Sequence, residues 1–194
     1  MELSDICLIR IDILYEDYLA KVQSIKSCGI YEKKQQYVHL FSREFYDTLF
    51  HHQSQFRLPF YSESAYNILE KNKLLRRKPR NGERYRDNVN IKNPTLKQHG
   101  LTYDHIHRPQ LAMKKELEKF FLRRKPRPLS KKKFRLFFEK MSQTICVTKE
   151  ENNQLSNENL VYDDNLFVVD RQGKGVDMSD LIIEKPITLF SLVL

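Results

Sequence analysis

Three of the six histidines in this 194-residue chain, His99, His105 and His107, lie in one short stretch that also holds Tyr103 and Asp104. An imidazole titrates near neutral pH, so it can take up and return the proton of an attacking hydroxyl. Cleavage of RNA through its own 2′-hydroxyl needs this chemistry, with Lys or Arg nearby to stabilise the charge that develops on the phosphate. His105, His107 and Asp104 are therefore the candidate catalytic residues of a nuclease. If extended, His105-Ile106-His107 would also put two imidazoles on one side of a strand, where they could ligate a metal. The plainer alternative is a set of ordinary loop or interface histidines. His51 and His52, on an expected helix, read as surface residues.

Other signs of cofactor chemistry are missing from the sequence. Cys7, Cys28 and Cys146 are odd in number, far apart and form no C-x-x-C pair, which argues against a thiolate zinc site or a disulfide framework. There is no Gly-x-Gly-x-x-Gly or Walker loop, and Gly173-Lys174-Gly175 reads as a turn. No cofactor and no bound metal are expected.

The string Tyr103-Asp104-His105-Ile106 resembles the Asp-His-Ile core of HNH nucleases. The resemblance implies His105 as general base and Asp104 as a metal-side carboxylate. The middle Asn of that family has no counterpart, because no Asn occurs between His105 and Lys149. A β-α-β start on a basic chain is also similar to ferredoxin-like RNA-binding folds. These include endoribonucleases that process CRISPR repeat RNA, many of which use His as the base. Their Gly-rich segment is not evident here.

Charge is the stronger signal. The formal net charge is +9, but residues 71–140 hold 23 Lys/Arg and 6 Asp/Glu, a net of +17. Residues 1–70 hold 7 and 10, and residues 141–194 hold 4 and 9, so both flanks are mildly acidic. Concentrating like charge is costly unless a polyanion neutralises it. Nucleic acid is the usual polyanion, because each neutralised phosphate releases a counterion.

Within this region the hexapeptide Leu-Arg-Arg-Lys-Pro-Arg occurs twice, at Leu75–Arg80 and Leu122–Arg127, each after a helix-like run. The first arm is Arg76, Arg77, Lys78, Arg80, Arg84 and Arg86. The second is Arg123, Arg124, Lys125, Arg127, Lys131, Lys132, Lys133 and Arg135. A guanidinium pairs two-pronged with phosphate or a guanine edge, and proline keeps the arm from joining the preceding helix. Tyr85 and Phe134 could stack on unpaired bases. The alternative for each RRKPR is a nuclear-import signal or a solvated helix end. After the first copy, Asn81-Gly82 predicts a tight hairpin. A capped helix followed by a basic hairpin resembles the end of a winged helix-turn-helix domain, whose helix reads the major groove and whose wing grips backbone. A second helix is missing at the right distance, since residues 54–61 contain Pro59 and read as loop.

The elements that must position these residues read as α+β. The pattern predicts a strand with Ile9, Ile11 and Ile13 on one side, a helix over 16–27, a second strand Tyr37–Phe41, and a helix over 43–53 capped by Ser42, with Phe45, Leu49 and Phe50 on its apolar side. A helix over 63–75 follows, capped by Ser62 or Ser64. Residues 87–110 read as loop, 110–122 as helix, Phe134–Glu139 as strand and 149–160 as loop. Strands are expected at Leu166–Val169, Leu181–Glu184 and Ile187–Leu194. The sheet, mixed or antiparallel, would thus draw strands from both chain ends. The organisation reads as an N-terminal α/β segment over 1–60, a basic nucleic-acid-binding region over 61–140 and a β-rich segment over 141–194, or as a single domain built from all three.

The function expected is nucleic-acid binding, RNA or DNA, by a regulator or a subunit of a nucleoprotein assembly, with a small nuclease as the alternative. The apolar end ITLFSLVL would serve a protein partner or a second copy. No run of 18 apolar residues and no signal-like leader occur, so no membrane partner is expected. A cytoplasmic location is expected, or a nuclear one in a eukaryote.

Overall fold

A computed structural model describes residues 4–52, 56–75, 93–121, 126–157, 168–170 and 172–176. The fold is α+β with a mixed sheet. In chain order the elements are α1 (Asp5–Ser27), α2 (Tyr31–His52), β1 (Arg57–Ser62), α3 (Glu63–Lys71), α4 (Asn93–Gln98), β2 (Leu101–His105) and α5 (Pro109–Glu118). A 3-10 turn (Lys119–Phe121), α6 (Lys131–Met141), β3 (Thr144–Thr148), α7 (Lys149–Asn157), β4 (Val168–Val169) and β5 (Gly175–Val176) follow. The described residues fall into two compact units. A helical unit is drawn from Met1–Phe56 and His107–Ser142, and a sheet unit from Arg57–Ile106 and Gln143–Ile187.

In the helical unit, residues 9–13 are not a strand but the second and third turns of α1. The buried residues Cys7, Ile11, Leu14, Tyr18, Val22 and Ile25 are spaced by three and four, which is the stripe of a helix. Ile6, Ile9 and Ile13 lie on the opposite side and are exposed. Apolar residues on two opposite faces of a helix mimic period two over a short window. The N-terminal segment thus contributes helices, and no described strand precedes β1. Ser4 starts α1, its hydroxyl accepting from Cys7 N at 3.3 Å.

Two further expected elements change in the same unit. Tyr37–Phe41 is helical, within α2, whose buried residues are Val38, Phe41, Ser42, Phe45 and Leu49. Ser42 is no cap; its hydroxyl donates to the Val38 carbonyl one turn back at 2.6 Å. Phe50 is exposed rather than part of the apolar side. Phe134–Glu139 is helical too, inside α6. Phe134, Phe138 and Met141 are buried there at i, i+4 and i+7, and the Ser130 hydroxyl caps the helix. Phe134 is the centre of an aromatic cluster, with ring centroids 5.1 Å from Tyr18, 5.4 Å from Tyr15 and 6.2 Å from Phe45.

The sheet unit orders its strands β2-β3-β1-β4-β5. β1 and β3 are parallel neighbours; β2 pairs antiparallel with β3, β4 with β1, and β5 with β4. Residues 57–61, expected as loop because of Pro59, are strand: Pro59 falls where the register of β1 against β3 shifts, which is where a central strand tolerates a residue that cannot donate. Both parallel strands run straight into helices, β1 into α3 and β3 into α7. Their caps are joined. The Ser62 hydroxyl accepts from Ala65 N at 3.1 Å and donates to Glu151 Oε2 at 2.5 Å. Glu151 also accepts from Thr148 N at 2.8 Å, and its own N–H donates to Thr148 Oγ1 at 3.1 Å. This reciprocal Thr-x-x-Glu box makes residues 149–157 a helix in place of the expected loop.

Residues 93–105, also expected as loop, form α4 and β2. β4 overlaps the expected Leu166–Val169 strand, and the turn to β5 carries Gly173 at φ +77°, where a Cβ would stand 3.2 Å from the Tyr66 ring. The Asn81-Gly82 hairpin and the strands expected at Leu181–Glu184 and Ile187–Leu194 lie outside the described residues.

Candidate nucleic-acid interface

Of the basic candidates, Arg76, Arg77, Lys78, Arg80, Arg84, Arg86, Arg123, Arg124 and Lys125 lie outside the described residues, as does Tyr85. The structure places the rest. Arg127 sits in an irregular segment, 126–130, and is exposed. Lys131, Lys132 and Lys133 form the first turn of α6, Arg135 lies in its second turn, and all four are exposed. Among the described residues of the second arm, the irregular segment therefore ends at Ser130, where α6 begins. Beyond it, the basic side chains are spaced by a helix. Phe134 is fully buried beneath them and cannot stack on a base, which corrects that expectation.

Two tyrosines of α1 hold this segment in place. Leu129 N–H donates to the Tyr18 hydroxyl at 3.0 Å, and the Tyr15 hydroxyl donates to the Leu129 carbonyl at 3.2 Å. The Tyr18 hydroxyl in turn donates to Glu116 Oε1 on α5 at 2.8 Å. Both backbone groups of Leu129 are thus satisfied by side chains more than a hundred residues away. Burial, with the Glu116 carboxylate adding to it, pushes the Tyr18 phenol well above the usual range, so it stays a donor. Sequence reasoning missed these positioning residues. The available signal was a Tyr at a buried position of an otherwise aliphatic stripe, since a buried phenol needs a partner.

The start of α6 is electrostatically unfavourable for the folded chain by itself. A helix N-terminus carries partial positive charge, so a cation there costs about 0.3–1 kcal/mol. The first turn holds three lysines and no acid. Lys131 pairs with Asp12 at 2.9 Å and Arg135 with Glu139 at 3.0 Å, in exposed pairs of small worth. Arg127, Lys132 and Lys133 have no ion pair among the described residues.

The histidines are distributed differently. His105 ends β2 and is only 7% exposed. Asp104 Oδ1 accepts from the His105 N–H at 2.8 Å, but neighbouring strand residues project to opposite faces, so the two side chains do not converge. In register, His105 lies opposite Thr144, and Thr144 opposite Arg57. These three form one row across β2, β3 and β1, with about 5 Å between neighbours. Thr144 is fully buried, and its Oγ1 has no hydrogen-bond partner among the described residues. The Arg57 guanidinium lies 4.1 Å from the centre of the Tyr103 ring.

The strand stops at His105, so the alternation that would align His107 with it does not continue. His107 belongs to the helical unit and is half-buried, and its Nε2 has no hydrogen-bond partner among the described residues. Burial, then the charge of Lys140, pushes its pKa down to about 4, so it is neutral at physiological pH. His99 follows α4 and is half-buried, and His51 is exposed. Among the described residues, no group of three or more His, Cys, Asp or Glu side chains could hold a metal ion.

Comparison of the chain with protein-family models, with curated proteins and with solved structures gives no match in any of the three. Among the described residues, no helix is long and apolar enough to cross a membrane.

Proposed function

We propose that the protein binds nucleic acid, RNA or DNA, through the basic region of residues 71–140, as a regulator or a subunit of a nucleoprotein assembly. The observation that carries this reading is the net charge of +17 concentrated there between acidic flanks. Support comes from the exposure of Arg127, Lys131, Lys132, Lys133 and Arg135, and from lysines standing where the helix dipole disfavours them. A bound phosphate backbone would relieve both costs. The test is a titration of labelled RNA and DNA oligonucleotides at increasing salt. Binding should weaken steeply, by roughly three to five orders of magnitude between about 50 and about 200 mM if six to ten phosphates are contacted. Absent or salt-independent binding would refute the reading.

A second reading, a small nuclease, is favoured by the row Arg57–Thr144–His105, which brings an imidazole and a guanidinium to one face of the sheet. Incubating labelled RNA and DNA with the protein, with and without EDTA, decides it. Cleavage by the native protein that is lost in His105→Ala supports this reading. Cleavage that persists in His105→Ala, or none at all, excludes it.

A further inference from the structure

Phe134, one of the two rings expected to stack on bases, is buried, but the helical unit exposes another ring. Tyr31, at the first position of α2, is 56% exposed. Its ring packs edge-to-face on Phe121, with centroids 5.6 Å apart and planes at 71°. An edge-to-face contact fixes a ring while leaving surface open, which is what a platform for a flat ligand requires.

The surroundings choose the ligand. Lys26 Nζ lies 5.1 Å, and Lys119 Nζ 5.3 Å, from the centre of the Phe120 ring, next to Phe121 in the chain. Lys34 is one helical turn from Tyr31 on the same face of α2. Lys119 is shared with Glu116, whereas Lys26 is exposed with no acidic partner among the described residues. An open aromatic ring on a helix that also carries Lys34, packed on a turn whose Phe120 ring is flanked by Lys26 and Lys119, fits a chain that is anionic and has free, flat bases. A duplex offers the first property and hides the second.

We propose that Tyr31, braced by Phe121, is a stacking platform for an unpaired base. The nucleic acid bound is then single-stranded, its phosphates lying by Lys26, Lys34 and Lys119. This rests on the nucleic-acid reading above and adds the strandedness of the ligand.

The chain has no tryptophan, so Tyr31→Trp introduces a unique fluorophore at this position. Titrating that variant with oligo(dT) and oligo(rU) should quench its emission at saturation, whereas a hairpin duplex of equal charge should not. In anisotropy titrations, Tyr31→Ala should weaken single-strand binding roughly tenfold or more, Tyr31→Phe should retain it, and duplex binding should not respond. The platform is overturned, with the nucleic-acid reading intact, if the native protein binds in a salt-dependent way but Tyr31→Ala binds single strands equally well or the introduced indole is not quenched. If the native protein binds neither form of nucleic acid, both readings fall together.

Discussion

The two units of this protein differ in where their candidate functional side chains lie. The helical unit builds a dry aromatic core around Phe134 and displays its charge outward, on the first turn of a helix anchored by Tyr15 and Tyr18. The sheet unit draws polar groups inward: His105 and Thr144 are buried on one row of strands, and Ser62 is buried in the joint cap of two helices. Display favours binding a large polyanion by many weak contacts. Burial favours a fixed internal structure, or chemistry on a small group that can reach inside. Charge and histidine looked like parts of one site when read along the chain. Among the described residues, the fold puts the exposed charges of the second arm and the buried His105 in different environments.

This contrast can be broken most forcefully at Phe134. Phe134→Ala removes the ring that Tyr15, Tyr18 and Phe45 pack against, and should destabilise the protein by about 3–5 kcal/mol in urea unfolding. An effect below about 1 kcal/mol would mean that the basic helix does not rest on this core. Tyr18→Phe is subtler. It keeps the packing but strips Leu129 N–H and Glu116 of a partner, at an expected cost of about 1–3 kcal/mol. Amide exchange at Leu129 should accelerate in that variant; unchanged protection would show that the anchor is not needed.

The smallest effect is confined to acid. His107 is held at about 4, below its ordinary 6.5, so the folded state binds a proton less readily than the unfolded chain. The stability linked to this group is complete above 6.5 and is lost as pH falls from there towards 4. His107→Gln should therefore lose less stability than the native protein between pH 7 and 4.5. Parallel losses in thermal unfolding would show that His107 is not held neutral.

What could be read from the sequence follows from how local each signal is. The Ser62 cap and the Ala65/Leu69 stripe of α3, and the helix at Pro109–Glu118, are set by neighbours within a turn or two. The α+β class and the band of charge were legible for the same reason. α1 and α6 misled because Ile9-Ile11-Ile13 and Phe134-Leu136-Phe138 alternate over short windows while belonging to helices with wide apolar surfaces. α7 is too polar to show an apolar stripe, and only its Thr148/Glu151 box betrays it. For the site, the exposed charges were visible, but what anchors them was not. The contact of Tyr15 and Tyr18 with Leu129, and that of Tyr31 with Phe121, join residues about ninety or more positions apart, which no local pattern encodes.

The central claim is that the lysines at the start of α6 serve a ligand and not the fold. The most direct test is the double variant Lys132→Glu/Lys133→Glu, measured for stability and for binding together. Acidic residues suit a helix N-terminus, so stability should hold or rise, by about 0.3–1 kcal/mol per site, while nucleic-acid affinity falls and its salt slope drops by about one per lysine. Unchanged affinity, or a loss of binding matched by a loss of stability, would contradict it.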